Sequence, residues 1–200
     1  MTRVRLELNR LRIERPKERW KLYFVVLAEH PEDSAKMLLT VLPQDPTIVV
    51  PSNNNTVDFE GNGIGADGLL VLSRPMPNNR ELNVHFYVRH SRRNLRKAGE
   101  YLGELETLLG NQVIETVSGI LGSTTPWLVV TLGVKNILAK LFKEMPDRDM
   151  GFISMYEAFG PEFEHDEELD REKTGGHISL VYTWSVDRSP EFSSPMNTTT

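Results

Sequence analysis

The sequence predicts an α+β fold: an antiparallel β-sandwich of about seven to nine strands with a helical insertion between two of them. Three observations carry this. Residues 3–89 alternate apolar and polar positions as strands do, residues 92–144 repeat apolar positions at helical spacing, and residues 151–186 return to alternation. Strands at both ends of the chain close on the same sandwich, so residues 1–188 read as one domain with an insertion at about 92–144, and 189–200 as a disordered tail.

Val4, Leu6 and Leu8 alternate with Arg3, Arg5 and Glu7, a half-buried strand, and Leu11 and Ile13 then fall on the opposite parity. One extra residue near Asn9-Arg10 would re-aim them, so a β-bulge is expected there. Trp20 to Ala28 is apolar on both parities and reads as a central strand. Met37–Leu42 follows, and prolines at 43, 46 and 51 confine Thr47–Val50 to a short edge strand. Short strands are expected at Thr56–Phe59 and Leu69–Ser73. Leu82, Val84, Phe86 and Val88 alternate with Asn83, His85, Tyr87 and Arg89 in another half-buried strand.

The period then changes. Leu95, Ala98, Leu102, Leu105 and Leu109 form one stripe of a helix over about 92–109. A second helix is expected over 112–121. Thr125 as N-cap and Pro126 at the first helical position predict a third, over 126–144, with Lys140 and Lys143 near its C-terminus. The closing strands are 152–159 and 177–186, with Ile178, Leu180, Tyr182, Trp184 and Val186 on one face. Between them, Glu162–Lys173 reads as an acidic loop. The arrangement resembles C2-like sandwiches in a loose sense only, and no motif fixes that family.

Composition excludes some chemistry. There is no cysteine among the 200 residues, which removes disulfides, thiolate nucleophiles and Cys-ligated zinc. A formal net charge of −5 is the wrong sign for a dedicated nucleic-acid binder. No secretory leader is read at the start, and the longest apolar stretch, Trp127 to Phe142, is broken by Lys135, Asn136 and Lys140, so the chain reads as soluble. Asn-x-Thr triplets at Asn54 and Asn197 matter only in a secreted eukaryotic protein.

Candidate sites are few. GNGIGADG at 61–68 is glycine-rich but leads into the apolar strand at Leu69 rather than into a helix, so it lacks the N–H cradle of a phosphate loop. Its GIGADGLLVL portion (63–72) resembles a local stretch of the diaminopimelate epimerase family. That family's acid/base pair is two cysteines, which this chain does not have. Asp58, Glu60, Asn62 and Asp67 offer hard oxygen ligands for calcium from one loop, without EF-hand spacing. In the acidic loop, His165, Asp166 and Glu168 are cation candidates.

The run Arg89 to Lys97 is the strongest surface feature. Arg92, Arg93, Arg96 and Lys97 sit where a helix dipole disfavours cations, so an anionic neighbour is expected: Glu167, Glu168 and Asp170 of the same chain, or an external anionic partner. Gly99 and Gly103, with Gly119, Gly122 and Gly133, permit close packing of the helical block. The histidines give no catalytic lead, and neither GxSxG nor HExxH occurs. The function expected is therefore a non-catalytic interaction domain recognising a protein or membrane surface. The alternatives are a membrane-active or toxin-like protein that inserts its helical block into lipid, and a hydrolase with a dispersed site.

Overall fold

The computed structural model describes residues 2–14, 19–43, 48–51, 54–59, 68–92, 98–119, 125–163 and 168–188. Two antiparallel sheets pack face to face. The smaller is built on β1 (Thr2–Ile13), which pairs on one side with β12 (Ile178–Arg188). Its other side meets β5 (Thr56–Asp58) and β6 (Leu69–Pro75), and β11 (Leu169–Gly175) flanks β12. The larger sheet runs β10 (Arg148–Ala158), β7 (Glu81–His90), β2 (Trp20–Glu29), β3 (Lys36–Leu42), β9 (Pro126–Thr131), β8 (Val113–Ser118), and the short β4 (Ile48–Val50) pairs with the start of β2.

The inner core forms because each strand turns one parity inward. Val4, Leu6 and Leu8 of β1, with Trp184 beside them on β12, meet Phe24, Val84 and Phe86 of the larger sheet, all fully buried. The expected bulge is present. The pairing of β1 with β12 shifts between Leu8 and Arg10, and Leu11 and Ile13 return to the core. Gly68 is required beside it: with φ +113, a Cβ there would lie 2.8 Å from the Leu8 carbonyl oxygen.

The insertion differs from its expected form. The first helix is described over Ala98–Leu109 (α1), with residues 93–97 outside the described region and Arg92 in an exposed non-helical position. The second expected helix is the strand β8. The third divides into strand β9 and helix α2 (Val134–Glu144), with Leu132-Gly133 as the turn between them. Thr125 and Pro126 therefore start a strand. The reason is physical. β9 is buried on both faces, Trp127 and Val129 inward and Leu128 and Val130 toward the helices, and such a strand satisfies helical spacing by accident. β8 is rich in β-branched residues, and a bulge at Ile114 sends Val113 to the outer core and Val117 to the inner one.

Both helices cover the outer face of the larger sheet. Tyr101, Leu102, Leu105 and Leu109 of α1 and Val134, Leu138 and Phe142 of α2 pack on Tyr23, Val25, Leu27, Leu39 and Val41. A second correction concerns the acidic loop. After a 3-10 turn at Pro161–Phe163, residues from Leu169 form strand β11 rather than loop, and its alternating charges suit a sheet edge. The two sheets meet at their β10 and β11 edges. A Cβ on Gly151 would collide with the Gly175 carbonyl oxygen, one on Gly175 with the Phe152 carbonyl, and Lys173 Nζ donates to the Ser154 carbonyl at 2.8 Å. The expected tail, 189–200, lies outside the described residues.

Candidate functional site

The helices do not reach the whole outer face. Among the described residues nothing covers the β10–β7 end of the sheet, and the side chains there are aromatic. Tyr87 pairs across the strands with Phe152, and His85 with Ser154. A bulge between Asp149 and Gly151 sets the parity, so that Ile153 and Met155 enter the inner core while Phe152 and Tyr156 point out. Phe142 of α2, Tyr87, Phe152 and His85 form a continuous row of rings. Centroid separations are 5.0 Å (Phe142–Tyr87), 4.8 Å (Tyr87–Phe152) and 5.7 Å (His85–Phe152).

The row floors an open groove of about 410 Å³, lined by Tyr87, Ala139, Phe142, Lys143, Asp149 and Phe152. Its lining is apolar apart from one cation and one anion at the rim. Phe152 is 45% exposed and Tyr156, further along the same face, is 52% exposed. His85 is buried under Phe152, and its two ring nitrogens have no hydrogen-bond partner among the described residues. Burial, reinforced by the charge of Lys135, pushes its pKa down to about 4, so the imidazole is neutral at pH 7. Burial, with Asp149 adding to it, also holds the Tyr87 phenol above its usual range.

A buried polar network fixes the back of the groove. Arg89, fully buried on β7, donates through Nη2 to the carbonyls of Phe142 (3.0 Å) and Asp147 (2.6 Å), and its guanidinium lies 4.7 Å from the Phe142 ring centroid. The Asp147 carboxylate accepts from Tyr23 Oη (2.8 Å) and from the Arg92 backbone N–H (3.2 Å). Tyr23 stacks on Tyr101, whose hydroxyl shares a short hydrogen bond with Ser91 Oγ. The end of α2 is thereby tied to β2, β7 and α1 at once.

Arg89, the first cation of the basic run, is thus buried away from the others. Its parity on β7 looked polar and exposed, but the outer face there lies under α2. Arg92 is exposed and engages Asp147 through its backbone; Arg93, Arg96 and Lys97 lie outside the described residues. Of the expected acidic partners, Glu168 is exposed, Asp170 accepts from Thr183 Oγ1 at 2.5 Å, and Glu167 lies outside the described residues. Asp58, among the calcium candidates, pairs with Arg10 at 2.5 Å; Glu60, Asn62 and Asp67 lie outside the described residues, as do His165 and Asp166. Of the glycine-rich segment only Gly68 is among the described residues, and it leads into strand β6.

Sequence reading missed the groove because its residues come from three separate elements. The detectable signal was Phe152 and Tyr156 on the parity opposite Ile153 and Met155. A second cavity, of about 510 Å³, lies among the β2–β3 turn, the β6–β7 connection and the start of α2. It is balanced in charge: Glu29, Glu32 and Asp33 stand against Lys36, Arg74 and Lys135, and Lys36 already pairs with Asp33 at 3.1 Å. Among the described residues no cluster of three or more acidic or histidine side chains is arranged to hold a metal ion, and no helix is long and apolar enough to cross a membrane.

No family model matches this chain, and no curated protein matches it. Among solved structures it is similar to "Structure of Drosophila C2-DSL-EGF1", with a TM-score of 0.38 and 10% identity, over 93% of this chain and 67% of that one. That likeness is too loose to carry an argument about function.

Proposed function

We propose that the chain is a non-catalytic interaction domain that recognises a protein partner, and that the partner inserts an apolar side chain from a short peptide segment into the aromatic groove between α2 and β10. The observation that carries this is the row Phe142, Tyr87, Phe152, His85, which no described residue covers, on a sheet face whose neighbouring part lies under two helices. Its volume falls within the roughly 300–1,000 Å³ typical of ligand sites. Aromatic side chains of this kind dominate the energetics of protein interfaces, while Lys143 and Asp149 at the rim supply orienting charges of both signs.

A lipid target fits less well. The apolar stripes of α1 and α2 are already buried on the sheet, so inserting them in a bilayer would first require stripping them from the core. The formal net charge of −5 opposes an anionic membrane surface.

The test is selection of peptides from a random library displayed against the full chain, followed by titration of the selected peptides against Phe152→Ser. Selected peptides should share an aromatic or large aliphatic anchor and bind the variant at least tenfold more weakly, as expected for removal of a central aromatic contact. Peptides that bind parent and variant equally, or binding of the parent to phospholipid vesicles at the expense of any peptide, would overturn the proposal.

A further inference from the structure

The chain carries a formal net charge of −5, yet one wall of the aromatic groove is cationic. Helix α2, which forms that wall, presents Lys135, Lys140 and Lys143, and none of the three forms an ion pair among the described residues. By contrast, Arg10 pairs with Asp58, Lys36 with Asp33 and Arg171 with Glu157. Two of the α2 lysines frame the row of rings. Lys143 lines the groove beside Phe142, and Lys135 stands close enough to His85 for its charge to act on that imidazole. Ala139, midway between them at four-residue spacing, lines the groove with no more than a methyl group. Glu29 is near enough to feel Lys135 but makes no ion pair with it. Asp149, the carboxylate of the lining, accepts from the Gly151 N–H at 3.2 Å and is held in the bulge of β10.

On the reading that this groove is the partner site, we propose that its peptide is acidic: an apolar anchor on the aromatic row, with one carboxylate two residues before it and another two residues after it. The charge follows from the uncompensated lysines, which an acidic segment would neutralise on the side facing α2. The spacing follows from the helix. Lys135 and Lys143 are eight positions apart, and at about 1.5 Å per residue this sets them about 12 Å apart along the axis. An extended peptide, rising about 3.3 Å per residue, covers that distance in about four residues. Alternate residues of such a peptide share one face, so the anchor and both carboxylates look toward the groove together.

The test is selection from one random peptide library, displayed against the full chain and against Lys135→Glu, Lys143→Glu and the double variant, each checked by a thermal melt. Against the parent, enriched peptides should carry Asp or Glu at both flanking positions. Lys143→Glu, at an exposed site, should turn the preference at one flank to Lys or Arg, Lys135→Glu should do so at the other, and the double variant at both. Should Lys135→Glu fail to fold, Lys143→Glu decides the matter at its own flank. A synthetic acidic peptide from the parent selection should bind the double variant about tenfold more weakly, and its Asn/Gln counterpart should bind both proteins alike. Peptides that share an apolar anchor and lose affinity for Phe152→Ser, yet show no charge preference, would leave the groove standing and overturn the acidic partner. So would a flank whose acidic preference survives reversal of its lysine. Acidic peptides that bind Phe152→Ser undiminished would remove the groove as the partner site and this proposal with it. A parent that selects no peptide but binds phosphatidylserine vesicles would do the same.

Discussion

On its inner face the larger sheet meets another sheet, and the contact is built from alternating strand residues such as Trp20, Phe24, Val84 and Phe86 against Tyr182 and Trp184. On its outer face it meets two helices, and there the packing is threaded by Tyr23, Arg89, Ser91, Tyr101 and Asp147. The inner contact needs only apolar complementarity, since each sheet already satisfies its own backbone groups. The outer one must also satisfy the carbonyls at the end of a helix, and Arg89 does this from beneath. Among the described residues the buried indole nitrogens of Trp20, Trp127 and Trp184 have no hydrogen-bond partner.

The largest expected effect tests the inner layer. Trp184→Ala removes a fully buried side chain that packs edge-on to Phe159 at 5.5 Å, and should cost about 3–5 kcal/mol in a denaturant titration. Trp184→Phe should cost clearly less, because it keeps an aromatic ring in place and the N–H that it deletes has no partner among the described residues. A change under about 1 kcal/mol for the alanine variant would mean that the layer closes over the gap.

The outer layer breaks differently. Asp147→Ala strands the Tyr23 hydroxyl and the Arg92 N–H and should cost about 2–3 kcal/mol, while Tyr23→Phe, which keeps the stack on Tyr101, costs less. Burial, with Asp147 adding to it, raises the Tyr23 pKa far above its ordinary value of 10.0. The unfolded phenol ionises near 10 and the folded one does not. Stability from this group is therefore full below pH 10 and lost above it, and Tyr23→Phe should flatten that alkaline loss. If alkaline unfolding is the same with phenylalanine at 23, the network is not the group responsible.

The contrast also explains what the sequence could and could not reveal. The inner layer follows from period-two alternation alone, so the parities of β1, β7 and β12 and the bulge at Asn9 were legible. Strands buried on both faces carry no such signature. β9, with four consecutive buried residues from Trp127 to Val130, therefore passed for a helix. Arg89 and His85 sit on the polar parity of β7, and nothing local announces that α2 will cover the first and Phe152 of β10 the second. Phe152 and Tyr156 could be placed on one face, but the groove depends on Phe142 arriving from α2, which is a tertiary fact.

His85 offers a smaller effect that probes the border between the covered and open parts of the outer face. Its folded pKa of about 4 lies below the ordinary 6.5. The unfolded chain takes up a proton as pH falls through 6.5 and the folded chain resists until about 4. The stability associated with neutral His85 is thus present above pH 6.5 and lost on acidification toward 4, by about 1–2 kcal/mol. His85→Leu should remove that acid sensitivity, and an unchanged pH profile between 6.5 and 4 would assign it to other groups.

The smallest stability change is expected at Phe152, and it sharpens the comparison most. The ring is 45% exposed, so Phe152→Ser should alter stability at pH 7 by no more than about 1 kcal/mol, in contrast to Trp184→Ala in the inner layer. Its consequences should instead appear at its neighbours. Phe152 is stacked on His85, and removing it admits water to the imidazole, which lowers the desolvation penalty on the charged form. The His85 pKa should then rise toward 6.5 and the acid-sensitive window should narrow, a shift that ¹H–¹⁵N spectra of the ring nitrogens would read directly. A Phe152→Ser protein that keeps His85 near 4 would show that the strands and Lys135, rather than the aromatic row, exclude water there, and the groove would be a shallower surface than its rings suggest.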